Sequence, residues 1–396
     1  MNSQSVTRQF AESDLHQELM MFEANDKQMM RLIRYFSHLK FNTAKTYLHW
    51  LRSWNEWYQV NAGKNKEWPA SSLPVTEGPL LAYLDHLQSS LSRSSIKGCL
   101  HALNSIHRKA LDLPGIITSE VGYILSAIEQ AEARKQKVTR QATPFMITDL
   151  KALIKSHRTT RSVRKLRDLC LIWTGFETLL RSAELRRIRM EDLVLDVQTG
   201  SFTLTVYRTK TNISTLLTYH LTPQLSANLL RLMDMVRRDQ HSHPKDYLFQ
   251  AVNFQDNGYM PPGWGLRSKG NELSTLLKNH NMPYLPSRTA ILDDNEDADD
   301  EANAVDDAGM LSKNTLLRAF EALWKELNPQ DTDTACWTGH SVRVGGAIQL
   351  AIAGYSLPQI MEMGNWTNAD MVSRYIRKIA AGKKAMTQFM HGALDE

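Results

Sequence analysis

The chain has 396 residues, 42% of them apolar, and a formal net charge of +5 with a pI near 8.9. This length and composition are sufficient for two or three folded domains with their own cores. Its three cysteines, Cys99, Cys170 and Cys336, form no C-x-x-C pair, which argues against a disulfide framework and a zinc site and fits a reducing compartment. Because no apolar run approaches the ~18 residues of a membrane span, and the first residues lack a signal-peptide core, we expect a cytoplasmic protein.

The charge is unevenly distributed along the chain. Nine acidic residues and no basic residue lie between Asp293 and Asp307, and setting these nine charges aside changes the net charge from +5 to +14. A positive charge of that size is typical of proteins that bind a polyanion such as nucleic acid. A generally basic, soluble protein explains the composition equally well.

The first third of the chain has a helical pattern. Residues 1–25 are polar and mostly unpatterned, so we expect a flexible N-terminal arm, whereas residues 26–134 predict an all-helical domain. Helices are expected near 78–90, 93–111 and 120–134. An aromatic stripe on the preceding helix is interpreted as core packing and not as a base-stacking platform. Its members are Tyr47, Trp50, Trp54, Trp57 and Tyr58.

A change of composition separates this domain from the next. Residues 135–145 are basic and contain Pro144, which predicts a linker. The segment fits either a solvated helix end or a strap along phosphates. A second domain is then predicted over 146–396.

The second domain combines helices with a short sheet. Helices are expected at about 148–156, 162–179 and 223–239, and further ones begin near Arg181 and after Ser312. Between Leu193 and Leu221 the apolar spacing changes to two, which predicts a small antiparallel sheet with Lys210 in a turn. Ser356 and Thr367 are predicted N-caps, and the second starts a helix near Asn368 with Tyr375 two turns inside it.

Two segments of this domain differ in composition from the rest. Residues 289–310 are acidic with few large apolar side chains, and we expect a disordered insertion. Residues 380–396 predict a short amphipathic segment. The predicted fold class is therefore mainly α, with an all-helical N-terminal domain and a C-terminal α+β domain that contains a small antiparallel sheet.

Four short stretches carry the side chains needed to cleave a phosphodiester without a metal. One side chain attacks, one protonates the leaving oxygen, and the others stabilise the charge on phosphorus. Each stretch is a weak signal alone, but their order and spacing are hard to obtain by accident. The stretches are Leu180–Leu185, Arg208–Thr211, Gly339–Arg343, and Gly364-Asn365-Trp366 with Tyr375 nine positions on.

In these stretches the chain resembles the tyrosine site-specific recombinases. The resemblance is strongest at Gly339–Gly345 and Gly364–Asn368, and it extends into the N-terminal domain at Arg52–Trp54 and Glu67–Ala70. It therefore covers nearly the whole chain. It implies a two-domain clamp around duplex DNA, with a helical core-binding domain and a catalytic domain, in a bacterial cell and with neither metal nor cofactor.

The resemblance gives the residues of these stretches their roles. Tyr375 is the nucleophile that forms a 3′-phosphotyrosine, although a tyrosine on an amphipathic helix is more often only packed. Arg181 and Arg343 hold the non-bridging phosphate oxygens, which a planar guanidinium matches bidentately. His340 and Trp366 donate further hydrogen bonds to the phosphate.

Lys210 and Glu184 are assigned more on the resemblance than on their own pattern. Lys210 is the general acid for the 5′-oxygen, whereas a lysine in a hairpin turn is usually only solvated. Glu184, three residues after Arg181 on the same helix face, resembles the family's acidic residue that orients the site. It fits an ordinary surface ion pair equally well.

The resemblance also identifies two helices that read the major groove. The predicted readers are Thr43, Lys45 and Thr46 on the first helix and Lys313 and Asn314 on the second. Asparagine pairs bidentately with adenine, whereas the position in the family that corresponds to Asn314 holds an arginine that reads guanine. We therefore expect a different target site.

The implied partner is double-stranded DNA with an inverted-repeat target site. A homodimer would bind each site, a homotetramer would form the synapse, and strands would exchange through a Holliday junction. Residues 380–396 are expected to dock on a neighbouring protomer. Two alternatives remain open: a type IB topoisomerase with the same chemistry, and a catalytically silent DNA-binding protein, against which the filled catalytic positions argue.

Overall fold

The computed structural model describes residues 15–16, 19–22, 26–134, 141–208, 215–261 and 309–382. The described residues up to 134 belong to one compact unit, and those from 141 onward belong to a second. The division lies inside the segment 135–145, for which the sequence predicts a linker. The described residues are mainly helical with one small antiparallel sheet, which confirms the predicted fold class. Among them, no helix is both long and apolar enough to cross a membrane.

The described part of the N-terminal unit is built from helices. A π-helical turn, Ile106–Ala110, follows the fourth α-helix where the sequence predicts one continuous helix to residue 111. The α-helices are α1 (Asp26–His38), α2 (Phe41–Ala62), α3 (Glu77–Gln88), α4 (Arg93–Ser105) and α5 (Ser119–Arg134).

The aromatic stripe of α2 forms the centre of the N-terminal core. Trp54 is fully buried, its ring lies 5.3 Å from that of Tyr83 in an edge-to-face arrangement, and its Nε1 donates to the Ser72 carbonyl at 2.9 Å. Tyr58 is also buried and donates to the Pro69 carbonyl at 2.5 Å. The interpretation of the stripe as core packing is confirmed, because Trp50 is buried as well and the half-buried Tyr47 and Trp57 pack against the same core.

Part of the expected flexible arm is packed instead. Leu15, Leu19 and Phe22 are buried in the same core as α1 and α2. Their spacing of four and three residues is a helical apolar pattern that the polar composition of residues 1–25 conceals. Burial of apolar side chains of this size stabilises the unit by roughly 1.5–3 kcal/mol each, which is sufficient to hold the segment.

The C-terminal unit contains the sheet and the remaining helices. Its sheet has the order β1-β2-β3, with antiparallel pairing throughout. Leu193 lies opposite Leu204, which in turn lies opposite Tyr219. The elements are α6 (Ile147–His157), α7 (Val163–Thr178), α8 (Ser182–Arg186), β1 (Leu193–Asp196), β2 (Ser201–Arg208), β3 (Thr215–His220), α9 (Pro223–Val236), α10 (Lys313–Leu327), α11 (Ser341–Ile352), α12 (Leu357–Gly364) and α13 (Ala369–Gly382).

Helix α7 is the central element of this unit. Every residue from Leu166 to Gly175 is buried, because other helices pack around it. On β2 the predicted alternation is confirmed, since Phe202, Leu204 and Val206 are buried. Helix α7 is followed by its C-cap residue Leu179, whose backbone adopts a left-handed conformation with φ of 52°. This turn directs the chain into Leu180 and Arg181.

Two predicted boundaries differ from those observed. The predicted linker ends early, because Ala142 and Phe145 are buried in the C-terminal unit and the Phe145 N–H donates to the Ser341 carbonyl at 3.0 Å. The cap of α13 is Asn368 and not Thr367, since the Asn368 Oδ1 accepts from the Asp370 N–H at 2.8 Å. The predicted insertion lies outside the described residues up to 308, and the predicted C-terminal segment does so from 383.

Candidate active site

Arg181 lies at the N-terminus of the short helix α8 and is held by Glu184. The Arg181 backbone N–H donates to one Glu184 carboxylate oxygen at 2.9 Å, and its Nη1 lies 3.4 Å from the other oxygen. Both side chains are 12% exposed, so this pair is largely screened from water. Glu184 therefore fixes the backbone and the side chain of Arg181 together, which a surface ion pair would not do.

Arg343 lies on α11 and is almost completely buried, with 2% of its surface exposed. Its Nη1 donates to the Leu179 carbonyl, and its Nη2 donates to the Gly364 carbonyl at 3.2 Å. Its guanidinium carbon lies 4.5 Å from the centre of the Trp366 ring, in the geometry of a cation–π contact. Contacts to the end of α7, the end of α12 and the indole fix the plane of the guanidinium.

Gly364 allows the indole of Trp366 to lie directly against the backbone. A β-carbon added at Gly364 would lie 2.1 Å from Cζ3 of Trp366, well inside van der Waals contact. Glycine at this position is therefore needed to bring the indole onto Arg343. The next residue, Asn365, has a left-handed backbone with φ of 48° and turns the chain toward Trp366.

We predict that Gly364→Ala impairs DNA cleavage by displacing the indole. Overpacking of this kind costs roughly 1–3 kcal/mol of stability, and we expect a loss of cleavage rate of at least about tenfold. Gly122→Ala is the matched control, because a β-carbon at Gly122 meets no atom within 4 Å. Single-turnover cleavage and thermal denaturation of both variants measure the two effects. Equal cleavage by Gly364→Ala and the control would show that the indole position is unimportant.

His340 and Tyr375 are in direct contact. His340 Nε2 lies 2.7 Å from Tyr375 Oη, and the two rings pack edge to face with centroids 5.4 Å apart. His340 is held at the start of α11, where the Ser341 hydroxyl accepts from the Thr338 N–H at 2.9 Å. Tyr375 lies on α13 and is 8% exposed, and its ring centroid lies 6.0 Å from that of Trp366. The phenol is thus paired directly with the imidazole.

Trp366 presents a polar group that the described part of the chain leaves unsatisfied. Its Nε1 is buried and has no hydrogen-bond partner among the described residues. A buried donor without a partner costs about 1–3 kcal/mol. A phosphate oxygen bound at the site is a suitable acceptor.

Tyr219 lies near the site and is not apparent from the sequence motifs. It is on the core-facing side of β3, between the half-buried Leu217 and the buried Leu221. Burial raises the pKa of Tyr219 to about 12; Glu184 acts in the same direction, and Arg343 and Arg181 oppose it. The phenol therefore stays protonated at neutral pH and is a candidate hydrogen-bond donor near both arginines. Only its inward position in the alternation of β3 signals it in the sequence.

The structure brings six of the seven predicted catalytic positions into one unit. Arg181 and Glu184 form one contacting group, Arg343 and Trp366 a second, and His340 and Tyr375 a third, and the ring contact between Trp366 and Tyr375 joins the last two. Lys210 falls between β2 and β3 and lies outside the described residues. Its role stays a prediction.

The predicted DNA-reading residues lie at two helix starts. Thr43, Lys45 and Thr46 are in the first turns of α2, where Thr46 is exposed and the other two are half-buried. Lys313 and Asn314 open α10, where Asn314 is exposed and Lys313 is half-buried. The Ser312 hydroxyl caps α10 by accepting from the Thr315 N–H at 3.1 Å. Their roles in DNA reading stay predictions.

Comparison with known proteins identifies the family. Residues 148–381 match the model of the phage integrase family. The chain belongs to this family. It is a tyrosine site-specific recombinase, an enzyme that breaks and rejoins DNA, as the sequence motifs predict.

Individual tyrosine recombinases resemble the chain over most of its length. Recombinase cre of Escherichia phage P1 is 26% identical over 369 residues, which are 92% of each chain, and this confirms that the resemblance covers nearly the whole chain. The XerH site-specific recombinase bound to a palindromic difH substrate has a TM-score of 0.53 at 13% identity, covering 99% of this chain and 92% of that one. The Tn1549 transposon integrase has a TM-score of 0.50 at 12% identity, covering 94% and 99%. The two structures show that the fold is shared.

Proposed function

We propose that this tyrosine recombinase cuts and rejoins duplex DNA at paired inverted-repeat sites, through a 3′-phosphotyrosine intermediate and a Holliday junction. The observation that carries the proposal is the 2.7 Å contact between Tyr375 Oη and His340 Nε2 beside the buried Arg343. Further support comes from two relatives, the recombinase Cre and the XerH complex with a palindromic substrate.

The first step is attack by Tyr375. A tyrosine hydroxyl ordinarily has a pKa near ~10, so it needs a base to become a nucleophile at neutral pH. With its proton on Nδ1, His340 accepts the phenolic proton at Nε2 while Oη forms a bond to phosphorus. The bond from phosphorus to the 5′-oxygen breaks, and the DNA is left with a 3′-phosphotyrosine and a free 5′-hydroxyl.

Charge that develops on the phosphate is stabilised by fixed donors. Arg181 and Arg343 are positioned by Glu184 and by backbone carbonyls, so little reorganisation is needed when the phosphate binds. The Trp366 Nε1–H adds a donor that has no partner among the described residues. Lys210 is proposed to give a proton to the departing 5′-oxygen.

Rejoining reverses these steps on a different strand. The 5′-hydroxyl of a partner duplex attacks the phosphotyrosine and gives its proton to Lys210, the bond from phosphorus to Oη breaks, and Tyr375 leaves with a proton returned by His340. Because the phosphoester bond is conserved in the protein–DNA link, the exchange needs no ATP, and the proposed donors need no metal. Two successive exchanges pass through a Holliday junction.

Assembly follows from the symmetry of the proposed site. Two protomers would close as clamps on the two arms of an inverted repeat, and two such dimers would form the tetrameric synapse. Residues 380–396 are proposed to dock on the neighbouring protomer. Thr43, Lys45 and Thr46 of α2 and Lys313 and Asn314 of α10 are the proposed base and phosphate contacts.

A two-site assay tests this proposal. A target would first be selected from randomised inverted repeats by covalent capture on the enzyme, and two copies would then be placed on one plasmid. We expect deletion or inversion of the intervening DNA and a four-way junction intermediate. Relaxation of a supercoiled plasmid without exchange would assign a type IB topoisomerase activity, and binding without any adduct would assign a silent DNA-binding protein.

A deletion tests the role of the acidic segment in DNA affinity. Removing residues 291–308 takes away nine acidic side chains and few large apolar ones. We expect cooperative unfolding of the catalytic unit to persist and non-specific DNA binding to tighten, by an amount that shrinks as salt rises. Titration of random duplex DNA at several salt concentrations measures this. Unchanged affinity at low salt would place the segment too far from DNA to act on it.

A further inference from the structure

Arg186 is a buried cation that the proposed chemistry does not use. It closes α8, five residues after Arg181, and is 3% exposed. A buried guanidinium is costly unless it is hydrogen-bonded. Its Nη1 donates to the Leu311 carbonyl at 2.9 Å, so the last residue of α8 is bonded to a segment 125 positions away in the sequence.

Leu311 is the residue from which α10 departs. It is fully buried and directly precedes Ser312, the cap of α10. Asn314 and Lys313, the proposed DNA contacts, are the second and first residues of that helix. The bond from Arg186 therefore holds the start of the proposed reading helix to the end of α8.

A second contact joins the same helices to the start of α11. A β-carbon added at Gly339 would lie 1.9 Å from Ser182 Oγ of α8 and 3.5 Å from Leu316 Cδ2 of α10. Gly339 directly precedes His340. Side chains of α8 and α10 thus meet at the residue that leads into the catalytic histidine.

Helix α8 is too short to hold its own position. It has five residues, directly after the N-cap residue Arg181, so its placement depends on the contacts at its two ends. Glu184 fixes the Arg181 end internally, and Arg186 fixes the other end to Leu311. These contacts form a continuous path from the start of α10 through α8 to Arg181.

We propose that Arg186 is a positioning residue that couples the seating of α10 on DNA to the placement of Arg181, so that cleavage depends on the bases that α10 reads. This inference rests on the proposed function, since it requires α10 to contact DNA. An anchor that only stabilises the fold would support cleavage of all DNA sequences equally. Coupling instead makes the rate of cleavage more selective than binding.

The test compares Arg186→Met with Arg187→Met. Methionine retains the length of the side chain without its donors, and Arg187 is the half-buried residue that directly follows α8. The first probe is a nicked half-site duplex that the wild-type enzyme selects. The second probe is the same duplex with one base pair changed, at a position where Asn314→Ala alters the base preference of the enzyme. For each enzyme, binding affinity and the single-turnover rate of covalent adduct formation are measured on both duplexes.

We expect Arg186→Met to bind both duplexes with the affinity ratio of the wild type. Its rate of cleavage of the selected duplex should fall on the order of tenfold, as for loss of a hydrogen bond to a charged group. The ratio of its cleavage rates on the two duplexes should fall toward the ratio of its binding affinities for them. Arg187→Met should behave as the wild type. Arg186→Lys, which keeps one cationic donor, should recover part of the preference.

Two results would overturn the inference while leaving the proposed function intact. One is that Arg186→Met cleaves both duplexes more slowly by the same factor and has a lowered melting temperature, which identifies a residue that only stabilises the fold. The other is identical behaviour of Arg186→Met and Arg187→Met. If Arg186→Met does not melt cooperatively, the same measurements are made on Arg186→Lys instead. A cleavage preference of that variant equal to that of the wild type rejects the coupling. A wild-type enzyme that forms no adduct with any duplex rejects the proposed function and the inference together.

Discussion

Replacing Tyr375 with phenylalanine is expected to abolish covalent attachment to DNA and leave folding and DNA binding intact. The change removes only the hydroxyl, and the aromatic ring can still pack against His340 and Trp366. The other catalytic side chains cannot replace an oxygen that must form a bond to phosphorus. We therefore expect no detectable adduct, compared with ready trapping by the unaltered enzyme. Denaturing gels of labelled, nicked half-site duplex measure the difference.

Tyr355→Phe is the matched control for this experiment. Tyr355 belongs to the same unit and is 53% exposed, and we expect its loss to leave the adduct unchanged. A gel-shift titration should give the same affinity for both variants and the wild type. Adduct formation by Tyr375→Phe at the wild-type rate would mean that another residue attacks.

Replacing Arg343 with lysine is expected to slow cleavage by about 10² to 10³, the usual cost of losing one donor group from a charged transition state. An ammonium is a point charge and cannot reproduce the planar contacts to the Leu179 carbonyl, the Gly364 carbonyl and the Trp366 ring together. The net charge is unchanged, so a large loss of cleavage rate would be due to the lost geometry of the guanidinium and not to a lost charge. Single-turnover rates at saturating enzyme separate this effect from weaker binding.

Arg187→Lys provides the comparison, because Arg187 lies outside the contacting groups of the site and is only half-buried. Its cleavage rate should stay within about twofold of the wild type, as for most surface substitutions. Thermal melting of both variants controls for loss of the fold. A rate for Arg343→Lys equal to that of Arg187→Lys would show that charge alone is required at this position.

The sequence predicts the grouping of the proposed catalytic residues well because these residues lie near element ends, several of them with clear local signals. The left-handed turn after α7 precedes Arg181, Gly339 precedes His340, and Gly364 precedes Trp366. The two glycines mark close approaches of neighbouring side chains, whereas the residue type of Leu179 does not signal its left-handed backbone. The position of Tyr375 follows from its distance to the α13 cap, although that cap is Asn368 and not Thr367.

What the sequence does not predict are contacts between segments far apart in the chain. The packing of helices and strands determines the hydrogen bond between Arg186 and Leu311 and the approach of Ser182 to Gly339. It also determines the position of Tyr219 near the two arginines. Composition also conceals local packing, as at Leu15, Leu19 and Phe22, which are buried within a stretch of mostly polar composition. Glu184 is ambiguous for the same reason, because only the low exposure of its pair with Arg181 distinguishes it from a surface ion pair.

The identity of the residue that becomes joined to DNA tests the account most directly. The wild-type enzyme would be trapped on a nicked target duplex and digested with protease, and the peptide attached to DNA would be sequenced by mass spectrometry. The account predicts a peptide containing Tyr375, linked through its phenolic oxygen to a 3′-phosphate, with a free 5′-hydroxyl on the released strand. Attachment through another residue, or to a 5′-phosphate, would contradict it.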